Sequence, residues 1–147
     1  MGLDCSHGAW HGAYSAFMRW RIEIAKIAGI PLELMEGFYT DDMNAMKLAE
    51  FAGANAEGVV TLLKQNCPIS WDILRPDPLH ILLNHSDCEG EIAPEDCAKI
   101  ADRLEELLVH MPPGDAGGHI GNWRDKTQTF IDGCRAAAAA GEPLDFH

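Results

Sequence analysis

Apolar residues recur along this chain at three- and four-residue intervals, in separate blocks broken by Gly and Pro. Tyr14, Phe17, Met18, Ile22, Ile24, Ala25 and Ala28, with Arg21 among them, predict a helix over 12–29 that Gly29-Ile30-Pro31 ends. Arg19, Arg21 and Lys26 make it the most basic element of the chain. Thr40 or Asp41 is an N-cap for a second helix through about Phe51. Gly53 weakens that helix, and Val59, Val60, Leu62 and Leu63 resume the pattern until Asn66-Cys67-Pro68, so the stretch is one broken helix or two. Pro68, Pro76 and Pro78 mark 67–78 as an extended connector.

Leu79 to Leu83 reads as a short apolar helix, followed by a polar loop over 84–93. Pro94-Glu95-Asp96 then opens a helix with Pro in its first turn and acids near the positive end of its dipole. Its stripe is Cys97, Ile100, Ala101, Leu104, Leu107 and Leu108, and Met111-Pro112-Pro113-Gly114 stops it. A Gly- and Pro-rich loop covers 112–122. Trp123 or Asp125 begins the last helix, with Phe130, Ile131 and Cys134 on one face and Ala136–Ala140 behind. Gly141 suits the position just past its end, and Glu142–His147 reads as extended. Strand signals are weak, with short pieces left open near 30–40 and 68–74. The pattern predicts a mainly α, compact single domain over 1–147, with a central helix-loop-helix around 79–110.

Composition narrows the function classes. The 147 residues carry 23 acidic and 11 basic side chains, a formal charge of −12. Binding to a nucleic-acid backbone needs Lys and Arg to release counterions, so that class is not expected. An acidic surface suits solubility or docking on a basic protein partner, and a homo-oligomer stays open. No apolar run approaches the roughly 20 residues of a membrane span, and residues 1–7 do not read as a secretory leader. The five Cys are dispersed, odd in number and form no Cys-x-x-Cys pair. They read as reduced thiols of a cytoplasmic protein, with Cys97 and Cys134 as core residues.

The richest stretch chemically is His85-Ser86-Asp87-Cys88-Glu89-Gly90-Glu91-Ile92. Counted from His85, its spacing is that of a calcium loop: His85, Asp87 and Glu89 at the first, third and fifth places, Gly90 at the turn, Ile92 at the apolar place, Asp96 at the close. His in first place and the short Asp at the end depart from that pattern. In the plainer reading, Ser86, Asp87 and Glu91 cap the next helix and bond loop amides. A second cluster is Asp4-Cys5-Ser6-His7 with His11. On a helix, His7 and His11 would share one face. With Cys5 or Asp4 as a third ligand, and His85 or Cys88 from the central loop, they would make a zinc or iron site. Cys5 or Cys88 beside a His and an Asp could serve as a nucleophile. Gly117-Gly118-His119-Ile120-Gly121-Asn122 before a helix could hold a phosphate, with Arg124 adding charge. Trp20 reads as core, whereas Trp10, Trp71 and Trp123 lie near loops where a ring could stack.

His85–Ile92, the opening Met1-Gly2-Leu3-Asp4 and the closing Gly141-Glu142-Pro143-Leu144-Asp145-Phe146-His147 together resemble small uncharacterised proteins of bacteriophages and bacterial genomes. The resemblance implies context: an accessory protein, in the host cytoplasm if phage-encoded, of the kind that captures a nucleotide signal or blocks a defence protein.

The leading expectation is therefore a non-enzymatic binding protein that sequesters a small nucleotide-like ligand or docks on a host protein. His85, Asp87 and Glu91 would line its pocket, with His7, Trp10, His11 and Trp123 beside them and Arg75 or Arg124 supplying positive charge. Two alternatives stand against it. One is a metal-dependent hydrolase using His7, His11, His85 and Asp87, with Glu91 as base. The other is a single-loop calcium protein.

Overall fold

A computed structural model describes residues 2–39, 50, 53–86, 88–111 and 122–147. The expected helix from Thr40 or Asp41 through about Phe51, Asp87 and most of the Gly-rich loop over 112–122 lie outside the described residues.

The chain opens on a hairpin that the hydrophobic pattern does not predict. Strand β1, Gly2–Asp4, pairs antiparallel with β2, His11–Ala13, and a 3₁₀ turn over Ser6–Gly8 joins them. Helix α1, Tyr14–Ala28, then follows with Gly29 in the left-handed cap, φ 75°, as the Gly-Ile-Pro stop implies. The expected helix thus starts two residues late, because residues 12 and 13 belong to the hairpin. Helix α2, Ala56–Asn66, is followed by a 3₁₀ turn at Trp71–Leu74 inside the predicted connector. Of the strand pieces left open near 30–40 and 68–74, the structure has one parallel bridge, Met35 to Ile69.

Helix α3, Leu79–Leu83, and helix α4, Pro94–Leu108, form the predicted helix-loop-helix, with Pro94 in the first turn of α4. The loop between them ends in a two-residue strand, β3, Glu91–Ile92. Helix α5, Trp123–Ala140, is capped at its start by Asn122, whose side chain accepts from the Arg124 and Asp125 amides, and at its end by Gly141, φ 67°. Strand β4, Leu144–Asp145, pairs antiparallel with β3. The domain is mainly α, with five α-helices among the described residues.

Helices α4 and α5 pack on each other, burying Cys97, Ile100, Ala101, Leu104 and Leu107 against Phe130, Ile131, Cys134 and Ala137. Trp20 of α1 closes this core. Its ring lies 4.8 Å from Phe130 and 5.2 Å from Trp10, and its Nε1 donates to Thr127 Oγ1 at 2.9 Å. The core therefore fixes two things at once: the α5 face that carries Thr127, and the turn that carries Trp10.

Candidate functional site

Two assemblies gather the residues singled out in the sequence. The first is built around the closing segment. The backbones of Asp4 and His147 exchange hydrogen bonds of 2.8 and 2.9 Å, Cys5 bridges Phe146, and the Phe146 amide donates to Gly90 O at 2.9 Å. The hairpin, the closing segment and β3 thus run side by side, and the three patches that carry the resemblance meet in space. Phe146 is buried there, 5.9 Å from Phe17 and 4.1 Å from the His85 ring.

His85 locks this junction. Its Nδ1 lies 2.8 Å from Ser86 O and its Nε2 3.1 Å from Glu91 O. A neutral ring donates to one of these carbonyls and an imidazolium to both. Gly90, at φ 95°, passes so close that a Cβ there would stand 3.2 Å from His85 Cε1. Ser86 Oγ accepts from the Cys88 and Glu89 amides at 3.2 and 3.3 Å, as the plainer reading of the loop expected. The capping half of that reading is corrected: α4 is capped by Ala93, with no side-chain bond, and Glu91 is an exposed strand residue.

Among the described residues the expected metal site is not assembled. His7 sits in the hairpin turn at φ 56° and His11 on β2, so no helix face unites them. Among the described residues no three His, Cys, Asp or Glu side chains come together in a way that could hold a metal ion. For the calcium reading, His85 is turned to carbonyls and Asp96 lies in the first turn of α4, while Asp87 is outside the described residues.

The second assembly is a hollow of about 330 Å³ between the hairpin turn and the start of α5, lined by Gly8, Ala9, Trp10 and His11 on one side and Asn122, Asp125, Lys126 and Thr129 on the other. Those four α5 positions follow a spacing of three, one and three, which places them on one helix face. Lys126 reaches across: its ammonium lies 4.8 Å from the Trp10 ring and 3.5 Å from His11 O. His11 Nδ1 is hydrogen-bonded to the Asp4 carboxylate, which orients the exposed imidazole at the rim and occupies that acid. Trp10 itself is 2% exposed, and its Nε1 has no hydrogen-bond partner. A buried donor left unpaired costs about 1–3 kcal/mol.

The other predicted site residues fall elsewhere. Arg75 pairs with Asp72 at 2.8 Å in a separate surface hollow with Trp71, His80 and Asn84. Arg124 donates through Nε to Met111 O at 2.9 Å. The stacking role expected of the loop tryptophans is corrected: Trp10, Trp71 and Trp123 are all buried, and Trp71 Nε1 is bonded to Glu36 O. Asp125, Lys126 and Thr129 carried no signal in the sequence beyond polar spacing at a helix start.

The cysteines also divide. Burial, with Asp4 adding to it, pushes the Cys5 thiol up to about 12, so it stays protonated at neutral pH and is no nucleophile. Cys134 is held far above its ordinary range by its hydrogen bond to Cys97 and by burial. Cys88 is exposed. Mass-resolved alkylation of the folded chain should therefore modify Cys88 first and reach Cys5, Cys97 and Cys134 only on unfolding. Labelling of Cys5 as fast as Cys88 would contradict the buried junction.

No family model, curated protein or solved structure matches this chain. Among the described residues no helix is long and apolar enough to cross a membrane.

Proposed function

We propose that the chain is a binding protein rather than an enzyme, and that it captures a small oxyanion-bearing ligand, of nucleotide type or simpler, in the hollow between Trp10 and Lys126. What carries the reading is an ammonium outside any ion pair among the described residues, held over the Trp10 ring on the wall of one concave site. A ligand oxygen brought to this wall meets the Lys126 ammonium. The size supports a compact guest: about 330 Å³ lies at the small end of ligand pockets, roughly 300–1,000 Å³. The α5 N-terminus adds a favourable field for negative charge.

The test is native mass spectrometry of the purified chain, followed by identification of whatever unfolding releases. The expected result is a small molecule released unchanged from the wild type and lost from Lys126→Met, a variant that keeps an apolar stem over Trp10. A chemically converted ligand would overturn the non-enzymatic role. A bare chain whose tryptophan emission ignores phosphate, acetate, nucleoside monophosphates and amino acids would overturn the binding role and turn attention to a protein partner.

A further inference from the structure

We infer that the guest of this hollow is zwitterionic: an amino-acid-like molecule whose carboxylate meets Lys126 and whose ammonium meets Asp125. The inference rests on the binding role above and narrows its ligand class.

Asp125 and Lys126 are adjacent in sequence and line the same hollow, so α5 brings a carboxylate and an ammonium to one site. Neither belongs to an ion pair among the described residues. Lys126 leans over the Trp10 ring toward His11 O, which draws its charge to the hairpin wall. Asp4, opposite His11 in the hairpin, is bonded to His11 Nδ1. The site thus offers two opposite charges without neutralising either internally.

A bare oxyanion would gain Lys126 but bring its charge beside Asp125. A bare cation would gain Asp125 and meet Lys126. A molecule with both groups a few bonds apart satisfies each and suffers neither repulsion. Polar groups complete the set. Asn122 already spends its oxygen on two backbone amides, so it shapes the rim instead of competing for the ammonium. Thr129 supplies a hydroxyl one turn further along the same face. Gly12 has no side chain beside Trp10 Nε1; a Cβ there would stand 3.5 Å from that nitrogen.

The test is calorimetric titration of the intact chain with alanine and leucine, each beside the acid lacking its amino group and the amine lacking its carboxyl, and with inorganic phosphate. The wild type should bind at least one amino acid about tenfold or more tighter than either fragment. Asp125→Asn should remove that advantage while strengthening binding of the acids and phosphate. Lys126→Met should weaken the amino acids and the acids and strengthen binding of the amines. Acids or phosphate binding as tightly as the amino acids, or Asp125→Asn without effect, would overturn the zwitterion and leave oxyanion capture standing. Silence from every compound, with no co-purified molecule, would remove the binding role itself.

Discussion

Gly133→Ala should destabilise the chain by about 3 kcal/mol or more, against the helix propensity of the new residue. In an open helix interior the same change gains roughly 1 kcal/mol, because Gly carries the larger entropic cost. Here space decides the sign. Gly133 is buried in α5, and a Cβ built on it would stand 2.4 Å from Ala9 Cβ, 2.6 Å from Ala9 Cα and 2.9 Å from Ala9 N. Two of those atoms are backbone, so no rotamer relieves the contact; either the hairpin turn lifts or α5 shifts against α4. A thermal melt should show a fall of roughly 6–12 °C for a domain of this size. Ala9→Gly on the same chain should recover only part, since it removes the Cβ contact and leaves the two backbone ones. The hollow should suffer too, because Ala9 and Trp10 ride on the turn that is displaced. An unchanged or higher midpoint would mean that α5 and the turn are not in contact.

That contact also explains what sequence reasoning could and could not reach. The helices were legible because each carries its own evidence: the 3.6-residue stripe from Cys97 to Leu107, Pro94 at a first turn, Gly141 just past an end. The hairpin was not. Each of its strands is three residues long, too short to show alternation, and β1 is held from its other side by His147 at the far end of the chain. His11 therefore looked like a helical partner of His7, when strand pairing places it opposite Asp4. His85 looked like a ligand because its local company is Asp, Cys and Glu. Its actual partners are main-chain carbonyls and Phe146, and that ring arrives from 61 positions away. The same holds for the hollow. Trp10 and His11 stood out as an aromatic and an imidazole near a loop, but Lys126 means nothing until the fold brings it 115 residues back to His11. Side chains whose role depends on contacts of that separation leave no periodic trace, and those are the ones that build the site.

Arg21→Met should cost about 3 kcal/mol although it keeps the length and apolar stem of the side chain. Arg21 lies on the core face of α1 at 3% exposure, an unusual place for a charge. Its guanidinium sits 4.6 Å from the Phe17 ring centroid, and Nη1 reaches three carbonyl oxygens: His85 at 2.6 Å, Leu83 at 3.3 Å and Leu82 at 3.4 Å. Those carbonyls end α3, where the helix leaves its last acceptors unsatisfied and the chain turns into the 84–90 loop. One buried cation thus caps α3 and holds the backbone of the residue whose ring clasps Phe146. The short bond to His85 O dominates: a hydrogen bond to a charged group contributes about 1.5–3 kcal/mol, and the abandoned carbonyls add their desolvation cost. Arg21→Lys should recover little, since a compact ammonium cannot lie flat on Phe17 and fork to the same acceptors. Urea denaturation would measure the loss, and amide exchange would locate it. The amides of Asp145, Phe146 and His147 should exchange markedly faster than those of the α4–α5 core, because the clasp loosens before the domain unfolds. Uniform exchange across the chain would mean that Arg21 supports the core alone. An Arg21→Met chain as stable as the wild type would show that the carbonyls of Leu83 and His85 find other donors.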